Sequence, residues 1–284
     1  MKPSVDMPII VRAAFWWHRF GIAGKWRIPR AIGRIWQGED LFILTSHGGF
    51  LSVDAPNLDV YAHIYSKGGQ WEQDVMQTCE RVLRSGDIFY DIGSNTGIFS
   101  IDAAIAIPDL TVYAFEPQPT LTYHIRRSID ANNLRRVKCL EIMLGPEEGE
   151  AILYLAGQAS RASMVQLERG FRQLRLPMRT VDSLISSGEI EAPDVIKIDV
   201  EGAEMKVFEG ARQTLRTKNP SVVFEADENL LRFGLEVQNV FDSLLQAAPY
   251  RIYAIDLKGN LSIAKPPYTS KDYLALAPRH FDRI

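Results

Sequence analysis

Two strongly apolar segments of this chain carry ionisable side chains that could do acid–base chemistry. In VIKIDVEGAE, residues 195–204, strand alternation would place Lys197 and Asp199 on one face, and Glu201 follows directly. Glu225 ends the next apolar run, VVFEA. Burying such charges costs free energy unless they pair or bind something. Three carboxylates with one lysine could abstract a proton or hold a divalent metal. The structural alternative is a Lys–Asp pair with a glutamate at a helix N-terminus.

A glycine-bearing turn stands between an apolar run and a helical pattern in IFYDIGSNTGIFS, residues 88–100. Asp91 ends the run, and Gly93 and Gly97 would let the backbone pass close to a ligand because neither has a Cβ. A strand, a tight turn and a helix N-terminus together form the arrangement that holds nucleotide-like ligands in open α/β sheets. The spacing D-x-G-x-x-x-G differs from the G-x-G-x-x-G of dinucleotide enzymes, and a plain strand–turn–helix connection is the alternative.

Glu116 ends the second strand of this region, 23 residues after Gly93, and Pro117 follows it. In a doubly wound sheet an acid at this position faces the glycine turn across the crevice and can accept hydrogen bonds from both ribose hydroxyls. The position therefore predicts nucleoside binding without identifying the cofactor. A solvated strand end is the alternative.

Strands alternate with helices from residue 87 onward, which predicts an α/β fold with a mostly parallel sheet covered on both faces. Two final strands without a helix between them, YRIYAIDL and DYLALAP, predict an antiparallel edge hairpin. A helix is predicted from Trp71 to Leu83, and residues 157–177 are predicted to be irregular. The remaining predicted strands are 87–92, 111–116, 136–144, 194–200 and 221–226, and the remaining predicted helices are 97–106, 119–131, 203–217 and 237–246.

The first 66 residues are predicted to be an extension in front of a domain spanning 67–284. Residues 41–65 predict a hairpin around Gly48–Gly49, and residues 8–37 predict a short amphipathic helix. Its apolar positions are Ile9, Ala13, Trp16 and Phe20, flanked by Ile10 and Trp17. We expect this stripe to pack on protein, either the main domain or a second subunit. Contact with an anionic membrane surface and disorder are the less favoured alternatives.

Composition sets the broad class of the protein. Apolar residues make up 46% and charged residues 24% of the 284 positions, and the formal net charge is −3, so no nucleic-acid partner is expected. The basic residues are uneven, since residues 1–38 hold seven Lys or Arg and one acidic residue. The two cysteines, Cys79 and Cys139, are expected to be free thiols, and the protein is expected to be cytoplasmic.

Taken in order, YDIGSNTGIFS, AFEP, RTVDSLI, IKIDVEGAEMKVFEGA and VVFEA resemble the FkbM family of methyltransferases that use S-adenosylmethionine (SAM). The resemblance covers roughly residues 70–280. It implies a class I, Rossmann-like methyltransferase with a mostly parallel seven-stranded sheet, a C-terminal antiparallel hairpin and an N-terminal extension. Ser94 and Thr96 depart from the family, which often has alanine and an aliphatic residue there.

The resemblance also implies roles for individual residues. Asp91, Gly93, Asn95 and Gly97 would line the methionine side of SAM, and Glu116 would hold the ribose. Asp199 and Glu201 would lie near the transferred methyl group. Glu72 belongs to an aromatic–Glu pair that the family usually has before the first strand. The cofactor-binding set predicted on this basis is Glu72, Asp91, Gly93, Ser94, Asn95, Thr96, Gly97, Glu116 and Pro117.

The expected function is methyl transfer from SAM, most simply to a hydroxyl of a small molecule, sugar or polyketide-type acceptor. A neutral alcohol needs a base and alignment for in-line displacement. Asp199 is the first candidate for that base, followed by Glu201 or Glu225, with Lys197 adjusting its partner's charge. The alternatives are metal assistance through these carboxylates, an NAD-dependent oxidoreductase, and a methyltransferase-like domain that only binds. A homo-oligomer is also left open.

Overall fold

The computed structural model describes residues 9–18, 26–35, 41–155, 162–164 and 172–284. The helices of this part are α1 (Ile9–His18), α2 (Arg27–Ile35), α3 (Leu58–Ser66), α4 (Gln73–Val82), α5 (Ile98–Ala106), α6 (Pro119–Ala131), α7 (Val181–Ser186), α8 (Glu204–Gly210), α9 (Arg212–Thr217) and α10 (Val237–Ala247). Short 3-10 helices occupy Ala55–Asn57, Glu228–Phe233 and Pro278–His280.

The strands form three sheets. They are β1 (Phe42–Leu44), β2 (Phe50–Ser52), β3 (Ile88–Ile92), β4 (Thr111–Phe115), β5 (Val137–Leu140), β6 (Met143–Leu144), β7 (Gly149–Leu155), β8 (Ala162–Ser163), β9 (Arg172–Arg179), β10 (Val195–Ile198), β11 (Ser221–Glu225), β12 (Arg251–Ile255), β13 (Leu261–Ile263) and β14 (Asp272–Leu276).

Within the described residues the central sheet has eight strands, in the order β13-β12-β14-β11-β10-β3-β4-β5. Strands β5, β4, β3, β10 and β11 run parallel to one another. The chain leaves β3 toward β4 and β5 on one side and later returns to β10 on the other. The order therefore reverses between β3 and β10, which opens a crevice at their carboxyl ends.

Consecutive strand residues face opposite sides of this sheet and enter two separate cores. Phe89 packs with helices α4 and α5, whereas the next residue, Tyr90, packs with helices α7 to α10 on the opposite face. Both residues are fully buried. Near-continuous apolar strands are typical of a parallel sheet covered on both faces, and the predicted α/β class is confirmed.

The predicted strand 136–144 is wrong as a single element. It breaks after Leu140, and β6 (Met143–Leu144) pairs with β9 in a separate sheet of order β6-β9-β7-β8. The predicted irregular segment 157–177 is wrong at its end, because β9 pairs with β7 over seven residues. The rest of that segment, apart from residues 162–164, lies outside the described residues.

The predicted antiparallel pairing of the two final strands, β12 and β14, is confirmed, but the predicted turn at Gly259–Asn260 does not connect them directly. β14 pairs with β12 but lies between β12 and β11 rather than at the sheet edge. The Gly259–Asn260 turn leads instead to β13, which forms the edge and makes the sheet one strand wider than expected. Because β14 runs against the parallel strands, it begins at the edge where they end.

The N-terminal extension contains the predicted hairpin, β1–β2, but residues 58–66 form helix α3. The predicted apolar stripe of α1 is wrong. Ile9 is 84% exposed and Trp16 is 59% exposed, whereas Val11 and Phe15 are fully buried. Ala13 is also exposed, and Phe20 lies outside the described residues.

Contacts made by the N-terminal extension explain which helix face is buried. The ring of Phe15 lies 5.1 Å from that of Tyr65 in α3, so α1 packs on the extension's own helix. The extension in turn joins the main sheet, because the Ser52 amide donates to Ser128 Oγ of α6 at 2.9 Å. The boundary after residue 66 and any contact of residues 8–37 with a membrane or second subunit remain predictions.

None of the helices in the described ranges is long and apolar enough to cross a membrane. Both cysteines are free thiols, with Cys79 buried and Cys139 half-buried.

The packing of α1 leads to a prediction on stability. Phe15→Ala should lower the free energy of unfolding by about 3 kcal/mol, because it removes a fully buried aromatic ring and leaves a cavity. Ile9→Ala, on the exposed face of the same helix, should change it by about 0.5 kcal/mol or less. Chemical denaturation followed by circular dichroism measures both. Equal effects of the two substitutions would contradict the observed packing of α1.

Candidate active site

The turn after β3 is shaped by close approach of two strand ends. Gly93 has φ +76°, and a Cβ there would lie 1.9 Å from the carbonyl oxygen of Asp199. Its amide donates to the Phe115 carbonyl at 3.0 Å. Only glycine fits such a position, because an L side chain would be strained in φ and would collide with backbone. The turn is thereby held between the ends of β4 and β10.

Glu116 joins the turn to the end of β4. Its Oε2 accepts the Asn95 amide at 2.9 Å and its Oε1 accepts the Gln118 amide at 3.0 Å. The residue is 3% exposed. Burial raises the pKa of Glu116 to about 7, although the two backbone donors oppose that shift. The Gln118 side chain is a third donor to this carboxyl group. A carboxylate offers about four lone-pair sites, so Glu116 retains acceptor capacity for a ligand hydroxyl.

The wall beside Glu116 is apolar. It is formed by the ends of β3 and β4 and by the four-stranded sheet β6-β9-β7-β8. Leu153 of that sheet and the nearby Met164 line the same pocket. The apolar side chains lining this slot are Ile92, Phe115, Ile142, Met143, Leu144, Leu153 and Met164. A carboxylate at one side of an apolar slot suits a ligand with a flat apolar ring system and neighbouring hydroxyl groups.

Lys197 is a buried cation between two aspartates. It lies directly opposite Asp91 in the β10–β3 ladder, and its Nζ is 3.6 Å from Asp91 Oδ1 and 3.4 Å from Asp199 Oδ2. The same ammonium lies 4.6 Å from the ring centre of Phe99. Burial alone would lower the pKa of Lys197, but Asp199, Asp91 and Glu72 raise it above its ordinary value. Lys197 is therefore a fixed positive charge under the pocket floor.

The second cation of the site is Lys271, which sequence reasoning missed. Its Nζ is 2.7 Å from Glu225 Oε1 and 3.7 Å from Glu72 Oε1. Lys271 immediately precedes β14, and Asp272 pairs with Glu225 in the ladder. The sequence does offer a signal for this residue. The last strand is predicted to be antiparallel, and such a strand begins at the edge where the parallel strands end, so the residue before it lies at the site.

Ion pairing with the two lysines gives the carboxyl groups of the site different pKa values. Burial opposes ionisation of Asp199, but Lys197 and Lys271 outweigh it and lower the pKa of that carboxyl. Burial and the charge of Asp199 raise the pKa of Glu225 and of Glu72, with Lys271 acting against both shifts. Asp199 is consequently the ionised member of this group.

Glu201 stands at the pocket mouth in a left-handed backbone conformation, φ +54°. Such a conformation is costly for a glutamate and persists only where surrounding contacts impose it. Glu204 imposes it, since its Oε1 accepts the amides of Val200 and Gly202, both at 3.2 Å. Burial and Asp199 raise the pKa of Glu201 to about 7. Asn229 Nδ2 donates to Glu201 Oε2 at 3.4 Å.

The structure brings most of the predicted site residues to one pocket. The members of the predicted set that line it are Glu72, Gly93, Asn95, Glu116, Pro117, Asp199, Glu201 and Glu225. The other predicted residues lie behind its wall as support: Asp91, Ser94, Thr96, Gly97 and Lys197. Besides Lys271, the apolar slot, Gln118 and Glu204 are parts of the site that no local sequence pattern indicates.

The supporting residues have specific contacts. Ser94 Oγ donates to the Asp91 carbonyl at 2.7 Å, and Ser100 Oγ donates to Asp91 Oδ2 at 2.6 Å. Gly97, at φ +79°, begins helix α5 against Ile125. Thr96 is buried. Direct cofactor contact by these four residues remains a prediction.

Among the described residues, no three His, Cys, Asp or Glu side chains are grouped so that they could hold a metal ion.

Comparison with known proteins places this site in a family. Hexuronic acid methyltransferase AglP of Haloferax volcanii is 29% identical over 154 residues, covering 54% of this chain and 61% of AglP. 2-O-methyltransferase NoeI of Sinorhizobium fredii is 24% identical over 174 residues, covering 55% and 70%. The crystal structure of methyltransferase FkbM from Methylobacillus flagellatus has a TM-score of 0.45 and 16% identity, covering 78% of this chain and 54% of that one.

The chain thus spans less than two thirds of AglP. The profile of the Methyltransferase FkbM domain matches residues 91–252, more than half of this chain. That range begins at the aspartate beside the glycine turn, includes Glu116 and the three carboxylates at the strand ends, and stops inside β12. The chain belongs to the FkbM family of methyltransferases.

Proposed function

We propose that this protein transfers a methyl group from SAM to a hydroxyl oxygen of a sugar-like or other small-molecule acceptor. One observation carries the proposal: a single pocket is lined by a buried carboxylate beside an apolar slot, Glu116, and by a second carboxyl group with a pKa of about 7, Glu201. The first group suits the adenosine part of SAM, and the second suits activation of a hydroxyl group.

The residues present fit SAM. Glu116 has acceptor capacity left for a ribose hydroxyl, and the slot beside it is apolar and lined by Phe115 and Leu144. Glu72 and Asp199, near the turn after β3, would face the cationic ammonium and sulfonium groups. When bound, SAM supplies an electrophilic methyl group. The chain's own residues bind, align and deprotonate the acceptor.

Glu201 is the base that the electrostatics favour, in place of our first candidate, Asp199. A general base works best when its pKa lies near the working pH. Two lysines hold the pKa of Asp199 low, which makes that carboxylate a weak base. Glu201 has a pKa of about 7, raised by burial and in part by the charge of Asp199. Asp199 thus acts on the reaction through its neighbour, and the strained turn at Glu201 keeps that carboxylate at the pocket mouth.

The names of the relatives support oxygen as the methylated atom. One is a hexuronic acid methyltransferase and another a 2-O-methyltransferase. Carboxylates at the pocket mouth are also natural partners for acceptor hydroxyls, since an ionised carboxyl only accepts hydrogen bonds. The domain as a non-catalytic binding module is the second candidate, and the transfer experiment below separates the two.

Cofactor binding should depend on the ionisation of Glu116. Glu116→Gln should weaken SAM binding at pH 8 by about tenfold, equivalent to about 1.4 kcal/mol. Wild-type affinity should fall from pH 8 to pH 6, because protonation below the pKa near 7 removes an acceptor for the ribose hydroxyls. Calorimetry should show a smaller pH dependence in Glu116→Gln. Glu147→Gln, at an exposed acid, is the matched control, and NAD should not bind.

A wild-type SAM affinity in Glu116→Gln would remove the ribose assignment. Calorimetric binding of NAD with an affinity like that of SAM would favour the oxidoreductase alternative instead.

The choice of base predicts different effects at the two neighbouring carboxyls. Glu201→Gln should lower kcat by about 10²-fold or more with little change in SAM affinity. In Asp199→Asn the rising limb of the pH–rate profile should move to lower pH, because loss of the nearby negative charge lowers the pKa of Glu201. Full activity of Glu201→Gln would return the base to Asp199 or Glu225. Loss of activity in Asp199→Asn would then identify Asp199, and an unchanged limb in that variant would leave Glu225.

The acceptor itself can be found by radiolabel transfer from SAM into fractionated small molecules and glycans of the source cell. We expect label in a hydroxyl-bearing fraction, which then serves as substrate for the kinetic tests. Label transfer that a chelator abolishes and a divalent ion restores would favour the metal-assisted alternative. SAM binding without transfer into any fraction would favour the binding module.

A further inference from the structure

A second cavity of about 260 Å³ lies between helices α4 and α5, next to the candidate active site. One face of α4 presents Gln73, Gln77 and Glu80 to it, at positions one and two helical turns apart. The turn between β1 and β2 closes one end with His47. Trp71 lines both this cavity and the active-site pocket, so one indole adjoins the two.

Asp102 holds the closing turn in place. Its side chain is 1% exposed and accepts Ser46 Oγ at 2.5 Å and the His47 amide at 3.2 Å. The ring of His47 then stands between two carboxylates, with Nδ1 3.3 Å from Asp102 Oδ2 and Nε2 3.5 Å from Glu80 Oε1. Asp102 is therefore fully used by the protein, and its role is to fix the shape of the cavity.

The remaining polar groups of the cavity make no hydrogen bond among the described residues, although Glu80 Oε1 is paired with His47 at 3.5 Å. Within the described part of the chain, the side-chain amides of Gln70, Gln73 and Gln77 make no hydrogen bond that the structure shows, although all three line the cavity. Glu80 Oε1 is buried and also lacks a hydrogen bond among the described residues. Burial raises the pKa of Glu80, with His47 opposing. Buried polar atoms are nearly always hydrogen-bonded, so Glu80 Oε1 is available to a ligand. Gln73 is exposed and Gln70 and Gln77 are partly buried, so a ligand can replace the solvent at their amides.

The types of these groups indicate the chemistry of the ligand. An amide both donates and accepts, as a hydroxyl does, and three amides with one carboxylate oxygen match a unit carrying several hydroxyl groups. Trp71, Met76 and Ile98 offer an apolar wall of the kind that a ring's C–H face would cover. An anionic sugar would be repelled by the carboxylates of Glu80 and Asp102. His47 does not offset this repulsion for the ligand, because its ring is already paired with both carboxylates.

We propose that this cavity is a binding subsite for a neutral, hydroxyl-bearing ring, such as a pyranose, that is part of the acceptor next to the unit being methylated. The subsite itself follows from the cavity, and its connection to the acceptor rests on the proposed function. Gln73, Gln77 and Glu80 bind the hydroxyl groups, and Trp71 contacts the ring face. The acceptor is thus a saccharide or glycoside of at least two units.

Saturation-transfer NMR on the 284-residue chain, saturated with the demethylated product of SAM, tests the subsite. The probes are neutral methyl glycosides and disaccharides, each with a uronate and an amino-sugar counterpart. We expect binding of neutral probes, and at least fivefold weaker binding in Gln73→Leu and Gln77→Leu. Gln213→Leu, an exposed position on the opposite face of the sheet, should bind as the wild type does.

Three results would overturn the subsite: no neutral probe binds, only charged probes bind, or both leucine variants bind neutral probes normally. Circular dichroism and SAM calorimetry on the same variants separate loss of the subsite from misfolding. Normal SAM binding without sugar binding would defeat the subsite alone. Sugar binding without SAM binding would defeat the proposed function and leave the subsite standing.

Discussion

The buried Lys197 ammonium is the charge on which the candidate site depends. Two aspartate side chains at the ends of neighbouring strands, Asp91 and Asp199, lie within 3.6 Å and 3.4 Å of it, and burying such carboxyl groups without a partner would be costly. Its place in the ladder opposite Asp91 sets the geometry, because register in a parallel sheet is fixed by the backbone. Replacing one partner would leave an uncompensated charge, which is more costly than losing the pair as a whole.

The consequences of this charge extend along the pocket. Burial raises the pKa of Glu201 and Glu225, and the negative charge of Asp199, which Lys197 stabilises, raises both further. The ammonium group of Lys271 forms an ion pair with Glu225, which lowers the pKa of that carboxyl group. The carboxyl groups of the site therefore differ in pKa. As a result, one pocket can contain both a permanently ionised carboxylate, Asp199, and a titrating base, Glu201.

Backbone strain is concentrated where this electrostatic arrangement meets solvent. Glu72, Asn95 and Glu201 all have positive φ, and all three line the same pocket. Each is held by a neighbour in the fold, for example by Glu204 under the Glu201 turn. These conformations place polar side chains and backbone amides at the pocket surface. The packing of the two buried cores on either side of the sheet offsets their conformational cost.

The sequence alone determined the α/β alternation, the glycine turn, Glu116 and the carboxylates at the strand ends. Each rests on local periodicity or on a short motif, and strands 87–92 and 111–116 were located to within one residue at each end. Local pattern also misled. The stretch 136–144 is apolar throughout, but it divides because Met143 pairs with β9, a partner that only tertiary structure supplies.

Tertiary structure also decided which side chains meet. The helical spacing of Ile9, Ala13 and Trp16 is real, but the buried face of α1 is the one that contacts Tyr65, through Phe15. Lys271 lies 46 residues from Glu225, and only the insertion of β14 beside β11 joins them. The low pKa of Asp199 depends on Lys197 and on that same Lys271, whereas burial and Asp199 raise the pKa of Glu201. Periodicity shows which residues share a face, whereas pairing and burial determine what that face touches.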